Sequence, residues 1–409
     1  MNKINTKNII LTVATMMIFL NLTIYFPFVG LFPFPAYLID LIIFIMVVLF
    51  YIKKNLLFPY KNPLILWVLY YTVLNITYFI FSPAGMEEFV YLKLFFFFFF
   101  MFFSLIFLFN IDDRNLHVTR TTIALSAPIA TILLGIDYFN SGYFYYGIDV
   151  VDSVIGRSAA TYFNSNLAGG AMILLLILAI DIIPKKVRLF FILIVFLGIF
   201  FTMSRSNIIL MFIILIMMFL QKKIYTSHIF TLTLVITLFF TWLGTGGFDT
   251  LSKTYDLKVT ENMKNRVDFF RDNQSSDTED MDERKYILSV ALEMYANHPI
   301  IGNGYASTRL WDLHVAPHNT FVMHWADYGI FGIVIIPLLL YLASYQIYQY
   351  GRKSEKDLAL LLIVYFTLAS FVSHNMLGNP FRIAALVILS VLGLKAKEFY
   401  NDKKNKKLH

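Results

Sequence analysis

The chain alternates between long apolar stretches and short polar breaks. Each apolar stretch is about 15 to 25 residues, the length that a helix needs to cross the hydrocarbon core of a bilayer. Short basic segments at 184–188 and 221–223 mark clear breaks between neighbouring stretches. The pattern therefore predicts an all-α polytopic membrane protein with about 12 transmembrane helices. The predicted spans cover residues 9–29, 37–52, 63–81, 92–109, 121–138, 166–183, 189–203, 206–220, 226–243, 319–345, 358–376 and 381–395.

The distribution of basic residues predicts the orientation of these spans. Most of the 33 lysines and arginines fall in alternate short segments and in the C-terminal tail, whereas few lie in the other short segments. Cytoplasmic loops carry the excess of Lys and Arg in membrane proteins, so both termini are expected in the cytoplasm. The residues expected near the other, outer ends are Lys93, Arg157, Arg205 and Arg382.

Two outer loops differ from simple connectors. Residues 139–165 are rich in aromatic side chains, and residues 244–318 are far longer than a connection requires. The sequence thus divides into spans 1 to 9 over 1–243, an extracytoplasmic (periplasmic) loop over 244–318, and spans 10 to 12 with a basic tail over 319–409. Within the long loop, Arg284 to Ala296 is expected to be helical, because its apolar residues recur at helical spacing. Those apolar residues are Ile287, Val290, Ala291 and Met294.

Composition narrows the possible functions. The sequence is 58% hydrophobic and only 14% charged, which excludes an ordinary soluble domain. The absence of cysteine excludes disulfides, thiolate metal sites and a cysteine nucleophile. The net charge of +7 is explained by the topology and by a basic tail near anionic lipid, so a nucleic-acid partner is not expected. Nucleotide-binding and serine-hydrolase motifs with their required context are absent from the sequence.

Three arginines are candidates for binding an anion. Arg205 lies in a short turn between two apolar runs, where Ser204 or Ser206 could cap the next helix and the helix N-terminus would favour negative charge. Arg284 and Arg266 lie in the long loop, and guanidinium groups match phosphate oxygens well. The alternatives are an interfacial Arg205 whose charge reaches the membrane surface, and loop arginines that pair with neighbouring acids.

His318 is the candidate general base. It follows Pro317 at the start of an apolar run, and a neutral imidazole can accept a proton from a sugar hydroxyl. The alternative is a histidine that only caps or hydrogen-bonds at the membrane interface.

Other polar residues are weaker candidates for a catalytic or metal-binding role. His314 and His324 suggest a metal site without the spacing that would require one, and Asp280-Met-Asp282 resembles an Asp-x-Asp metal motif in an acid-rich patch. His298, His374 and Asn166 are expected to be structural, with Asn166 as a helix cap.

Four segments in order, within about 160–332, carry a resemblance to a known family. They are Phe163–Ala168, which holds an Asn-Leu-Ala; Thr202–Ser206, which holds a Ser-Arg-Ser; Arg284 with His298-Pro-Ile-Ile-Gly-Asn-Gly304; and His318-Asn319 with Asp327-Tyr-Gly-Ile-Phe-Gly332. With the predicted topology, this set resembles the bacterial O-antigen ligase and O-antigen polymerase family. Two features depart from the family pattern: Tyr286 and Leu288 stand where a Trp is common, and the separation of Gly304 from His318 is short.

The resemblance implies a polyprenyl-diphosphate-dependent, GT-C-like glycosyltransferase of the hexosyltransferase type. Its active site would lie on the extracytoplasmic face of the bacterial cytoplasmic (inner) membrane, and it would need neither a metal nor another cofactor. Arg205 and Arg284, together with Arg266 or Arg157, would hold the diphosphate and stabilise the leaving group. His318 would act as general base in an inverting attack by the acceptor hydroxyl, with Asn319 and Tyr305 among the glycan-binding residues.

The implied partners are a polyprenyl-diphosphate-linked oligosaccharide and an acceptor glycan or lipid, with a flippase and a chain-length regulator as further candidate partners. A polymerase of O-antigen or capsule repeat units is the favoured hypothesis, and a ligase that transfers the glycan to lipid A-core is the alternative. A transporter or flippase of lipid-linked glycans is the third hypothesis. A transporter would require charged residues along several spans, and here only Asp40, Asp137 and Asp181 lie near span ends.

Overall fold

A computed structural model gives the fold. It describes residues 6–31, 61–80, 99–106, 113–140, 142–145, 157–246, 278–313, 315–373 and 376–405, together with the single positions 45, 48, 49, 52 and 250. The predicted span at 37–52 falls mostly outside these residues. The helices are α1 Thr6–Phe19, α2 Leu22–Phe28, α3 Leu64–Ile80, α4 Asp113–Phe139, α5 Ser165–Ala179, α6 Arg188–Phe201, α7 Arg205–Leu220, α8 Thr226–Gly244, α9 Thr278–Asn297, α10 Ser307–Leu310, α11 Thr320–Tyr328, α12 Ile330–Ile333, α13 Ile335–Tyr350, α14 Lys353–Val372 and α15 Pro380–Asn405.

The all-α prediction is confirmed, whereas the count of spans is not. The described residues contain helices and short 3-10 turns but no strand. Among them, Asn115–Phe139 and Ile330–Tyr350 are long and apolar enough to cross a membrane. The pair Asn8–Phe19 and Leu22–Phe28, bent by 70°, would make a third span. Five more helices in the described part are apolar but shorter, at Leu64–Ile80, Ser165–Ala179, Arg188–Phe201, Arg205–Leu220 and Thr226–Val235.

The structure divides the predicted tenth span, 319–345. Gly329 has a φ of +58° and separates α11 from α12, and the long apolar helix runs only from Ile330 to Tyr350. A left-handed φ ends a right-handed helix, so α11 stands as a separate short element. The helix expected over Arg284–Ala296 is confirmed as α9, and Ile287 and Ala291 of its apolar stripe are buried.

The chain packs as two compact units. Unit 1 comprises Met1–Leu31 and Val118–Glu279, and unit 2 comprises Phe32–His117 and Asp280–His409. These units are defined by packing, whereas the predicted division at 243 and 318 was based on membrane topology. The two descriptions therefore refer to different properties of the chain, and the topological one stays a prediction.

Unit 1 is built around α5, whose residues are buried on every side from Ala168 to Ala179. Such a helix can be apolar all round because other helices cover each of its faces. Its neighbour α6 packs closely, since Gly198 leaves only enough room for the Met172 side chain. The turn before α5 is fastened to α4: the Asp137 carboxylate accepts hydrogen bonds at 2.8 Å from the backbone N–H groups of both Ala159 and Ala160.

One end of unit 1 holds a cluster of charged residues. Lys223 Nζ lies 2.5 Å from Asp181 Oδ1, and Arg120 Nη2 lies 3.9 Å from Asp181 Oδ2. Arg188 Nη1 donates to the Lys223 carbonyl at 2.6 Å. The sequence predicted all of these segments on the cytoplasmic side, and that placement stays a prediction. A transporter would need acids such as Asp137 and Asp181 along its path. Here Asp137 accepts hydrogen bonds from the turn before α5, and Asp181 pairs with Lys223 and Arg120.

Unit 2 is built on α13 and α15, which approach closely where Gly393 faces Ile347. The N-terminal part of α3 is joined to α13, because Trp67 Nε1 donates to the Ile335 carbonyl at 2.8 Å. The residue Asn62 receives a hydrogen bond from Ser390 Oγ at 2.6 Å and joins the start of α3 to α15. These helices form the support on which α9 to α11 are placed.

Candidate functional site

In unit 1, the candidate site is a hydrogen-bond network around Asn166. The Asn166 Oδ1 atom accepts from Arg157 Nη2 at 3.0 Å and from Ser204 Oγ at 2.7 Å. Asn207 Nδ2 donates at 2.8 Å to both the Asn166 carbonyl and Ser204 Oγ. Two segments, 157–166 and 204–207, are thereby fixed together. We call Arg157, Asn166, Ser204 and Asn207, with Arg205, the Asn166 network.

Two helices begin at this network. α5 starts at Ser165, and the side chain of Asn164 caps it by accepting from the Asn166 N–H at 2.8 Å. α7 starts at Arg205, with Ser204 in the N-cap position. The expectation that Asn166 is the cap was wrong by two residues. Ser204 makes no side-chain cap bond, because its hydroxyl is engaged by Asn166 and Asn207 instead.

This arrangement favours an anion. The first N–H groups of a helix lack intrahelical acceptors and, with the helix dipole, give its start a partial positive charge. Arg205 is the first residue of α7, and Arg157 is held at the start of α5 through Asn166. Two helix starts within unit 1 are thus brought to one place, with Arg157 hydrogen-bonded there and Arg205 as the first residue of α7. Helix starts and arginines are features that phosphate-binding sites use.

In unit 2, the residues flanking His318 are held firmly. Asn319 caps α11, since its Oδ1 accepts from the Val322 N–H at 3.2 Å. The next residue, Thr320, donates its hydroxyl to the Ser373 carbonyl at the end of α14. Arg382 Nη1 donates to Ser373 Oγ at 3.3 Å. His318 itself is half-buried, so its imidazole is positioned at the start of α11 while still accessible to solvent.

Arg284 belongs to the same unit and lies on the face of α9 that packs against α11. Ala291, Val322 and Ala326 form a buried cluster, around which Leu288 and Trp325 also pack. Arg284 precedes Ala291 by seven residues, so the two share one face of the helix. Arg284 is exposed, which is what a group that binds a substrate requires.

A backbone clasp joins the C-terminal ends of α9 and α11; it consists of His298–Gly304 and Ala326–Ile330. The N–H groups of Asn303 and Gly304 donate to the carbonyls of Ala326 and Asp327 at 2.9 and 3.1 Å, and Ile330 N–H donates to the Ile300 carbonyl at 3.3 Å. A Cβ atom on Gly302 would lie 2.5 Å from Asp327 O, and one on Gly329 would lie 2.5 Å from Ile300 O. These glycines, singled out from the sequence as a family signature, therefore serve a structural role.

Several other candidates have local structural contacts. Asp327 Oδ1 accepts from Thr308 N and Ser307 Oγ, both at 2.9 Å, and so holds the start of α10. Tyr305 is buried and its ring meets Phe79 edge-on at 6.2 Å. His324 is also buried, with its ring against Tyr71 at 6.2 Å. A role for Tyr305 in glycan binding stays a prediction.

The remaining expectations fall outside the site or outside the described residues. Asp282, half of the Asp-x-Asp pattern, is exposed and pairs with Lys285 at 3.1 Å. Arg266, His314 and His374 lie outside the described residues. Unit 2 also contains a small apolar pocket, with a volume of about 20 Å³. Its lining is Trp67, Val68, Tyr71, Phe99, Phe102, Leu377 and Ile383.

The structure thus groups the candidates by unit: Arg157 with Arg205 in unit 1, and Arg284 with His318 in unit 2. Sequence reasoning missed Ser204, Asn207 and Asn303 as members of these sites. The signal for Asn207 was its position one turn into a helix that starts with Ser-Arg-Ser. The signal for Asn303 was its place between two glycines, where an amide can approach the backbone closely.

The apolar helices of the described residues are consistent with a membrane protein. A family model described as O-Antigen ligase matches residues 189–336. This match bears out the resemblance to the O-antigen ligase and polymerase family over that segment, and it supports an enzyme. The matched segment includes Arg205, Arg284, the clasp and His318. A search of curated proteins finds no match.

Proposed function

We propose that the protein is a polysaccharide polymerase that transfers a glycan from a polyprenyl diphosphate to a hydroxyl of an acceptor glycan. The observation that carries this proposal is the Asn166 network, which joins two helix starts in unit 1, with Arg157 bound at one start and Arg205 as the first residue of the other helix. A diphosphate presents several oxygens with negative charge, and such a set of donors binds it and stabilises the charge as it leaves.

His318 is the proposed general base. The acceptor hydroxyl gives its proton to the imidazole as its oxygen attacks the anomeric carbon, and the bond from that carbon to the diphosphate oxygen breaks with inversion. Arg284, on the same side of unit 2, offers a second positive group to the departing diphosphate or to the glycan. The leaving group is already activated, so the arginines can supply the positive charge that other transferases take from a metal ion.

The proposal places the twelve-span topology, with both termini inside, in the bacterial cytoplasmic membrane and the reaction on the extracytoplasmic face. The small apolar pocket in unit 2 is lined by rings and branched side chains, which would meet a hydrocarbon chain without an unpaired polar group. It is the proposed contact for part of the donor lipid. Arg266 remains a proposed ligand of the diphosphate, and Asn319 of the glycan.

The ligase is the second candidate, because the matched family model carries that description. In this alternative the acceptor is lipid A-core or another lipid-linked core. The donor, Arg157, Arg205 and His318 would keep the same roles, so the two functions differ only in the acceptor.

The test uses purified protein in nanodiscs with polyprenyl-diphosphate-linked repeat units. A product ladder spaced by one repeat unit supports the polymerase. The ladder should disappear in His318→Ala and Arg205→Ala and persist in His117→Ala, whose histidine is exposed on α4. The absence of a ladder, followed by transfer when lipid A-core is added, would replace the polymerase with the ligase. Full activity of His318→Ala would overturn both.

A further inference from the structure

The side chain of Asn303 joins two helix ends within the clasp. Its Nδ2 atom donates at 2.9 Å to the Met294 carbonyl, in the last turn of α9, and at 2.9 Å to the Ala326 carbonyl, in the last turn of α11. Both carbonyls also accept a backbone N–H, Met294 O from His298 at 3.2 Å and Ala326 O from Asn303 at 2.9 Å, so the carboxamide is a second donor to each. One carboxamide thus serves the ends of both helices, and no apolar side chain could replace it.

The two backbone segments of the clasp are in close contact at Gly302 and Gly329. Gly302 and Gly329 both have a positive φ, +79° and +58°, and the backbone of each occupies the position where the other would carry a Cβ. Two chain segments in such contact cannot slide along each other without a clash. The clasp therefore fixes the relative position of the C-terminal ends of α9 and α11 along their axes.

The two helices extend from the clasp in the same direction. Ala326 in the clasp and Val322 one turn before it both belong to the cluster with Ala291, and Leu288 packs against that cluster one turn before Ala291. Arg284 lies seven residues before Ala291, about 10 Å farther from the clasp at the helical rise per residue. His318 lies four residues before Val322 in the same direction. Both functional candidates of unit 2 are thus at the end of the helix pair that is opposite to the clasp.

We propose that Asn303 is a positioning residue that holds Arg284 in register with His318 by tying the ends of α9 and α11 together. The proposal rests on the function proposed above for those two residues. A small rotation or slide at the clasp is transmitted along α9 as a rigid helix and displaces the guanidinium group. Misplacement of a reacting or charge-stabilising group by about 1 Å can cost about 100-fold in rate.

The first test measures activity. Asn303→Asp keeps the size of the side chain but replaces the donor that serves two carbonyls with an acceptor. The expected kcat is about 10- to 100-fold lower. The KM for the donor lipid should change little, because Arg157 and Arg205 of unit 1 bind the diphosphate. The matched control is Asn297→Asp, the same change on an exposed residue at the end of α9, and it should keep wild-type kinetics. Asn303→Ala removes the donor without adding a charge and should show a smaller loss of kcat.

The second test measures geometry without substrate. The natural chain has no cysteine, so a pair of introduced cysteines can carry spin labels at chosen positions only. Labels at Lys285 and Val315, both exposed, report the distance between the N-terminal part of α9 and the segment before α11. We expect a single narrow distance distribution in the parent and in Asn297→Asp, and a broadened or shifted one in Asn303→Asp and Asn303→Ala.

The outcomes separate this inference from the proposed function. An unchanged distance distribution with unchanged kcat in both Asn303 variants overturns the positioning role. An unchanged distance distribution with a raised KM for the donor lipid also overturns the positioning role, because Asn303 would then contact the substrate. If the Asp variant fails to fold, the Ala variant alone decides. If His318→Ala and Arg284→Ala both keep full activity while the distance distribution of Asn303→Ala broadens, the clasp sets the geometry but the proposed function fails.

Discussion

The glycines of the two units meet obstacles of different kinds. In unit 1, a Cβ on Gly169 would lie 2.6 to 2.9 Å from atoms of the Asn207 side chain. In unit 2, Cβ atoms on Gly302, Gly329 and Gly332 would meet main-chain atoms instead. The Asn166 network is therefore held by side chains that a second substitution could rearrange. The clasp is held by the backbone, for which no second substitution compensates.

The largest effect is expected for Gly332→Ala. The new Cβ would lie 1.8 Å from the His324 carbonyl oxygen, which belongs to α11 and cannot move alone. The free energy of unfolding should fall by about 3 kcal/mol or more. The measurement is the temperature at which half of the protein in detergent is no longer monodisperse. Gly244→Ala, where a Cβ meets nothing within 4 Å, is the control and should behave as the natural chain does. A Gly332→Ala protein as stable as this control would contradict the close approach of Gly332 to the backbone of α11.

The second effect is kinetic and concerns unit 1. Arg205→Lys keeps the positive charge but loses the planar fork that grips two oxygens at once. On the proposed function, kcat/KM for the donor lipid should fall by about 10-fold or more. Arg352→Lys, on an exposed side chain at the start of α14, serves as the control. If Arg205→Lys matches that control, Arg205 acts only as a point charge or lies away from the diphosphate.

The third prediction tests the difference between the units directly. Gly169→Ala should destabilise the protein by about 1 to 3 kcal/mol, because the methyl group overlaps the Asn207 side chain. Asn207→Ala alone should cost about 1 to 2 kcal/mol through its lost hydrogen bonds. The double variant should be more stable than the sum of the two effects by about 1 kcal/mol.

The matched double-mutant cycle in unit 2 combines Gly302→Ala with Asp327→Ala. Removing the Asp327 side chain leaves its carbonyl oxygen, which is the atom that a Cβ at position 302 would meet. The double variant should therefore be no more stable than the sum of the two single effects predicts. The stabilities are measured by thermal denaturation. If both double variants are more stable than the sum of their single effects by the same amount, the proposed difference between the glycines of the two units is wrong.

The smallest effect is expected at Asn319. Asn319→Ala removes the N-cap of α11 and should cost about 1 kcal/mol of stability. Asn319→Asp keeps the capping oxygen and loses only the amide donor. Wild-type activity in the Asp variant would show that the cap is the whole role of Asn319. A loss of activity with unchanged stability would instead support the proposed contact between its amide and the glycan.

The sequence predicted local features of the fold well and long-range pairings poorly. The helix over Arg284–Ala296 and its buried face were found because periodicity is a property of neighbouring residues. The cap of α5 was assigned to Asn166 rather than Asn164, because Asn-Ser-Asn offers two suitable side chains and only the backbone geometry separates them.

The same limit applies to the candidate site. The partnership of Asn166 with Ser204 and Arg157 could not be predicted, since it joins segments 38 and 9 residues away through tertiary packing. Gly302 and Gly329 were both noticed as glycines, yet nothing in either segment indicates that the two backbones touch. The twelve predicted spans illustrate the same point, because several apolar runs form helices too short to cross a bilayer alone and a glycine interrupts another.

The clasp has a consequence for how proteins of this kind diverge. Apart from those of the Asn303 side chain, its bonds are made by main-chain groups, while the side chains at its tip, Ile300 and Ile301, are each 68% exposed. Exchange of these outer side chains should therefore be tolerated, whereas a change of glycine spacing should disrupt the clasp. On the proposed function, a protein that takes a new sugar acceptor would still keep the glycine pattern. A survey that seeks enzymes with one particular acceptor should therefore compare the variable side chains rather than the glycines.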